Sequence, residues 1–229
     1  LKHPEKIALK QAYDFYDAVI SDDISRADGV KRNTDRTMRI MKSYARNIAA
    51  QASLETIRAD VVSNGLETFD KESLYSCLNA LKKIHVIEDS PAWNPSLRTK
   101  TPIRSSDTRY FVDPSVAAEA LGIGPEDLIN DLELMGLMFE NLCVRDLRVY
   151  ADAIGGNVYH YRDKTGLECD AVVHLRNGSY GLIEIKLGGD RLISQGAESL
   201  RRLADRIDTG KMKKPAFLMA LRGVAPFAH

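Results

Sequence analysis

Several signatures that would settle a function quickly are missing from this sequence. There is no apolar run of transmembrane length and no signal-peptide pattern, so no segment reads as a membrane span or a secretory leader. The three cysteines, Cys77, Cys143 and Cys169, are odd in number and far apart. They form neither a disulfide framework nor a zinc spacing, and a reducing, cytoplasmic compartment is expected. No G-x-x-x-x-G-K-[ST] occurs, so the chain carries no P-loop nucleotide site. The 32 basic residues balance the 32 acidic ones, and the chain as a whole lacks the positive bias of a nucleic-acid coat. There is no internal repeat or low-complexity tract.

What is present is concentrated near the C-terminus. With 229 residues and 44% hydrophobic content, the chain can build one large domain or two small ones. Two short apolar runs, Ala171–Leu175 and Tyr180–Leu187, flank Asn177-Gly178, a strong hairpin signal. Asp170 opens the first run, and Glu184 and Lys186 lie on one face of the second, because side chains alternate along a strand. A hairpin would gather all three at one end of a sheet. Two carboxylates suit Mg²⁺ or Mn²⁺, and a lysine suits an attacking water or a developing charge. The same Glu-x-Lys spacing also serves as an ion pair on a solvated strand face. The setting favours a site, since Ile183, Ile185 and Leu187 make the strand look internal, with polar residues admitted only at its end. From Arg191 to His229, eight Lys/Arg stand against three acids, a local net charge of +5. That flank fits a polyanionic substrate or a solvated helix face.

The apolar period is helical over Lys2–Ile20, and Asp22–Asp35 is a polar connection. Further helices are expected from Asp35 to about Gln51 behind an Asn33 or Thr34 cap, from Ser53 to an Asn64-Gly65 stop, and from Asp70 to about Ile84. His85–Asp89 and Arg109–Asp113 are strand-like, with a loop containing Pro91, Trp93, Pro95 and Pro102 between them. Three helices followed by a two-stranded ribbon is winged-helix order. Asp70–Ile84 would then be the recognition-type helix, with Lys82 and Lys83 facing DNA or simply packing against protein. A short helix starts after Asp113 and ends at Gly122, and a long one runs from about Glu126 to Tyr150. Glu140 on the long helix is either a boundary residue in water or a further acid reaching the sheet end. Strands are expected at Asn157–Arg162 and over the hairpin, then a helix from Ile193 to about Ile207 and a last buried strand from Pro215. The fold class is α+β: a helical winged-helix-like part over 22–113 and a mixed central sheet flanked by helices over 114–229, with 1–21 a separate helix.

The order of elements, with Glu140, Asp170 and Glu184-Ile185-Lys186, resembles the PD-(D/E)xK superfamily of restriction endonucleases, Holliday-junction resolvases and RecB-type nucleases. Gln195 resembles a polar residue of the following helix in RecB-like members. More broadly, Asp23-Ile-Ser, Pro91-Ala-Trp93, Arg109-Tyr-Phe-Val-Asp113, Gly136-Leu-Met-Phe-Glu140-Asn, Tyr161-Arg-Asp-Lys164 and Glu168-Cys-Asp170 resemble prokaryotic predicted AAA-type ATPases that carry the C-terminal domain of unknown function 4143. Asp113-Pro114 departs from that family's usual Asp-Thr/Ser-Gly. The resemblance implies an ATPase module upstream of this chain, which would bind ATP and assemble homo-oligomers, with Lys2–Ile20 as a remnant of its last helix and Leu1 as a truncation point.

The resemblance further implies a Mg²⁺- or Mn²⁺-dependent nuclease-like domain acting on nucleic acid, DNA foremost, and no membrane partner. Asp170, Glu184 and the carbonyl of Ile185 would hold the metal, Glu140 would reach it directly or through water, and Lys186 would position the attacking water. Arg162 and Arg191 would grip the scissile strand. The alternative is an inactive module that keeps the fold and docks nucleic acid or protein for an ATPase motor.

Overall fold

The computed structural model describes residues 4–63, 65, 68–95 and 106–223. The chain divides into a helical unit, Leu1–Asp89 with Arg109–Leu132, and a sheet unit, Ser90–Thr108 with Glu133–His229. The sequence reading placed the division at 113/114. The structure instead groups the chain as far as Leu132 with the helices and gives the 90–108 segment to the sheet. Asn64 and Pro102, expected as turn residues, lie outside the described residues.

The helical unit begins with α1 (Glu5–Ala18), which continues through a π-helical turn, Val19–Asp23, into the short α2 (Ile24–Arg26). Next come α3 (Thr34–Arg46), α4 (Leu54–Ser63) and α5 (Lys71–Lys83). Their starts follow from side-chain caps: Asn33 accepts from the Arg36 N–H, Ser53 Oγ from Thr56 and Asp70 from Ser73. The expected two-stranded ribbon after α5 is present as short antiparallel pairing, with bridges Ile87–Phe111 and Ser90–Thr108 and the Ser90 and Thr108 N–H groups each donating to the other's carbonyl at 2.9 Å. Asp113 then caps α6 (Pro114–Leu121), and Gly122 ends it at φ 73°, a left-handed conformation that costs glycine nothing.

The long helix expected from Glu126 is broken. Helix α7 (Pro125–Asn130) stops at Asp131, and α8 (Leu132–Ala153) starts afresh. Asp131 has φ −123° and ψ 82°, outside the helical region, while the apolar spacing runs on across the break. Periodicity alone therefore cannot reveal it.

The sheet unit holds β1 (Gly156–Arg162), β2 (Glu168–Leu175), β3 (Tyr180–Lys186) and β4 (Phe217–Arg222), in spatial order β1-β2-β3-β4. The first three strands form an antiparallel meander, and β4 pairs parallel to β3 after the crossover helix α9 (Asp190–Arg206). A parallel pair requires such a crossover. Strand β3 is buried through Ile185, as its continuous apolar run requires. Strand β4, expected to be buried, is not: Phe217, Leu218 and Met219 are each 41% exposed, since it forms the edge of the described sheet. Its Phe217 ring lies over Gly181, where an added Cβ would meet the ring tip 2.1 Å away, so the ring keeps this position only over a glycine.

The core on the α9 face gathers Val172, Tyr180 and Leu182 from the strands and Leu167 just before β2, with Leu200 and Leu203 from the helix and Ile207 at its C-cap. Trp93 enters the same core from the 90–108 segment. The segment is tied to β1 by the Trp93 N–H to the His160 carbonyl at 2.6 Å and by the His160 N–H to the Pro91 carbonyl at 3.0 Å. The fold is thus α+β, a helical N-terminal region followed by a four-stranded mixed sheet flanked by helices.

Candidate metal centre in the sheet unit

Three of the expected residues meet at one end of the two central strands. Ala171 pairs with Ile183 and Val172 with Leu182, so Asp170 on β2 falls beside Glu184 on β3. The Lys186 ammonium donates to Asp170 Oδ2 at 3.0 Å and to Glu184 Oε2 at 2.6 Å. Asp170 Oδ2 also accepts the Ile185 backbone N–H at 2.7 Å. Tyr180, Leu182, Glu184 and Lys186 alternate onto the face covered by α9. The helix runs back over that face, with Leu200 and Leu203 in the Leu182 core and Gly196 above Glu184. A Cβ on Gly196 would lie 3.3 Å from the Glu184 Cβ, so a glycine lets α9 close over the carboxylate's stem.

The electrostatics follow from this enclosure. The side chain of Glu184 is 5% exposed and that of Asp170 16%. Burial first, then the neighbouring Asp170 charge and the hydrogen bond between the two carboxylates, push the Glu184 pKa up to about 8 against the pull of Lys186. Burial pulls the Lys186 ammonium down, but the two carboxylates outweigh it and hold its pKa above the ordinary lysine value. At neutral pH the Glu184 carboxyl therefore keeps its proton, bonded toward Asp170, and Lys186 balances the remaining negative charge, so a cation would have to displace that proton.

The other expected residues are distributed differently. Glu140 lies on α8 within the sheet unit: a Cβ added to Gly136, one turn earlier, would lie 3.9 Å from the Leu187 Cβ, and the Phe139 ring lies against Gly223. Among the described residues no three carboxylate, thiolate or imidazole side chains gather as a metal cage would need, so Glu140 does not join Asp170 and Glu184 there. Arg162 ends β1 and pairs with Glu168 at 3.6 Å. Arg191 is exposed in the first turn of α9, and Gln195 is exposed beside Gly196. Lys82 belongs to the helical unit and is engaged by Asp89 at 2.5 Å, while Lys83 is exposed at the end of α5. The more basic helix of that unit is α3, which carries Arg36, Arg39, Lys42 and Arg46. Sequence reasoning passed over that stripe. It also left Arg222 unassigned, although Arg222 is the register partner of Lys186. A basic residue closing the last apolar run was the available signal, but the register that places it cannot be read from sequence.

The two carboxyl groups supply oxygen donors of the kind that a hard divalent cation takes. These features define an α+β protein with a helical unit and a sheet unit whose central strands carry a buried Asp–Glu–Lys cluster. Residues 2–127, more than half of the chain, match the family described as Domain of unknown function (DUF8612), and the chain belongs to that family. Residues 135–221 match Domain of unknown function (DUF4143), a domain often found at the C-terminus of AAA-type ATPases. The two matches divide near the boundary between the helical unit and α8. No curated protein and no solved structure matches the chain.

Proposed function

We propose that the sheet unit is a metal-dependent, nuclease-like phosphodiesterase domain acting on nucleic acid, in a chain that serves as the C-terminal part of an AAA-type ATPase. The observation that carries this reading is the Lys186 ammonium held between Asp170 and Glu184, at 3.0 and 2.6 Å. Burying two carboxyl groups side by side costs free energy, seen in the raised Glu184 pKa, and a surface ion pair would not require the second of them. The path of the chain supports the likeness to PD-(D/E)xK enzymes: helix, three-stranded meander, crossover helix and a fourth strand parallel to the third.

Asp170, Glu184 and the Ile185 carbonyl would hold Mg²⁺ or Mn²⁺. Such an ion, when bound, supplies Lewis-acid stabilisation of a phosphoryl oxygen and a more acidic water. The protein's own groups do the rest. Lys186 has three N–H donors and commits two of them to the carboxylates, which leaves the third for a phosphoryl oxygen or an attacking water. The cover of α9 at Gly196 keeps bulk water from the Glu184 stem and fixes the carboxylate's direction. The exposed α3 cations of the helical unit, Arg36 and Lys42, suit the backbone of a nucleic acid.

Titration calorimetry with Mg²⁺ and Mn²⁺ on the wild type and on Asp170→Ala/Glu184→Ala, followed by nicking assays on the same samples, tests the reading. Metal binding and metal-dependent cleavage are both expected, and both should vanish in the double variant. A wild type that binds neither ion at millimolar concentration would sink the enzyme and leave a docking module for the motor.

A further inference from the structure

Arg222 closes β4 as the parallel register partner of Lys186, and Glu184 is matched with Ala220 in the same way. Register partners on neighbouring strands project to the same face from backbones about 4.8 Å apart. The Gly223 N–H donates to the Lys186 carbonyl at 3.2 Å and pins the end of β4 at this level. Beside the acid pair, β4 therefore offers a methyl group at Glu184 and a guanidinium at Lys186. Arg222 is ion-paired with Asp190, the first residue of α9, at 3.0 Å. The Arg222 side chain is 31% exposed and that of Asp190 91%. So solvated a carboxylate holds its partner weakly. It keeps the guanidinium at the sheet end and yields readily to a competing anion.

We propose that Arg222 is the phosphate-binding residue of this site, exchanging Asp190 for a phosphodiester of a nucleic-acid backbone. The inference rests on the reading of Asp170 and Glu184 as a metal centre and deepens it. A guanidinium repels a metal ion and matches a phosphate with two parallel N–H donors. Its place is beside the metal, against the substrate. Lys186 has one N–H left after both acids engage its ammonium, which cannot give a phosphate the paired contact of a guanidinium. Asp190 is a positioning residue that sets the orientation of Arg222.

The test uses the full chain, a fluorescein-labelled DNA duplex as probe, and Ca²⁺ to hold cleavage off. Anisotropy at several salt concentrations is read for wild type, Arg222→Ala, Arg222→Lys and Asp190→Asn, with Mn²⁺ calorimetry on the same samples. Arg222→Ala is expected to weaken DNA binding about tenfold and to lower the salt slope by about 1, with Mn²⁺ affinity and unfolding midpoint unchanged. Arg222→Lys should restore the slope but not the affinity, which separates a forked contact from mere charge. Asp190→Asn should tighten binding about twofold by removing the competing anion. DNA binding by Arg222→Ala equal to wild type, in protein that still takes up Mn²⁺, overturns the assignment. Loss of DNA binding in Arg222→Ala, in a chain that binds no Mn²⁺, would uphold Arg222 and refute the metal centre. A wild type that binds no DNA refutes the Arg222 assignment.

Discussion

Each unit of this chain buries an ionic cluster, and the two are balanced in opposite ways. In the helical unit, Asp89 is held by Arg109 and Lys82, each at 2.5 Å, and by the Tyr44 hydroxyl. Arg109 spends a further N–H on the Ala52 carbonyl at 2.8 Å. One acid faces two bases there, and the innermost pair, with side chains 5% and 7% exposed, is neutral. In the sheet unit, two acids share one lysine. The first arrangement is complete and locks the end of α5 to Arg109. The second keeps a buried carboxyl protonated well above its ordinary pKa, a proton that a purely structural ion pair has no need to hold. Burial of a balanced charge is therefore weak evidence of function, whereas a buried carboxyl with its pKa pushed far from the ordinary value points to a site.

The largest expected effect breaks the complete cluster. Asp89→Ala strands Arg109 in the interior and should destabilise the protein by about 3–5 kcal/mol, read as a lowered midpoint in urea. A loss under about 1 kcal/mol would show that the cluster behaves like a surface pair. Next comes Lys186→Met, which leaves Asp170 and Glu184 facing each other without a cation. It should cost on the order of 2 kcal/mol in metal-free buffer, and millimolar Mn²⁺ should recover much of that loss. Mn²⁺ should raise the midpoint of Asp89→Ala only as far as it raises that of wild type, and a larger gain would erase the distinction between the clusters.

A third expectation concerns pH. Burial lowers the pKa of His160 from its ordinary 6.5, opposed by its Nδ1 hydrogen bond to the Ser90 carbonyl and by Asp107, and aided by Arg162. The folded state thus holds the imidazole neutral where the unfolded chain would already protonate it. Its contribution is fully present above about pH 6.5 and declines as pH falls below that value. His160→Gln should flatten this part of the stability profile, and an unchanged profile would assign the decline to other groups. The smallest effect is expected from Gly196→Ala. Better helix propensity, about 1 kcal/mol, offsets crowding against Glu184, so stability should change little. Mn²⁺ affinity should drop severalfold, because the added methyl displaces the carboxylate. Unaltered affinity would show that α9 does not set the direction of Glu184.

Much of this was legible in the sequence, for identifiable reasons. The helix starts at Asn33, Ser53, Asp70 and Asp113 were readable because capping is local. The β2–β3 hairpin and its acid–acid–lysine set were readable because alternation and Asn177-Gly178 fix the register. Features set by distant partners were not readable. Apolar residues continue across Asp131, so the end of α7 stayed hidden. The exposure of β4 depends on its place at the sheet edge. The engagement of Lys82 by Asp89 and the pairing of Arg222 with Lys186 depend on chain segments that meet only after folding.

The central claim is that the sheet cluster takes a divalent cation in place of the Glu184 proton. Its most direct test is the unfolding midpoint in millimolar Mn²⁺ against EDTA for wild type, Asp170→Ala/Glu184→Ala and Asp89→Asn. A ligand that binds only the folded state raises stability by mass action. The midpoint should rise on adding Mn²⁺ for wild type, rise equally for the destabilised Asp89→Asn, and stay fixed for the double variant. A wild-type midpoint that is the same in Mn²⁺ and EDTA, or a double variant that rises with the others, would contradict the account.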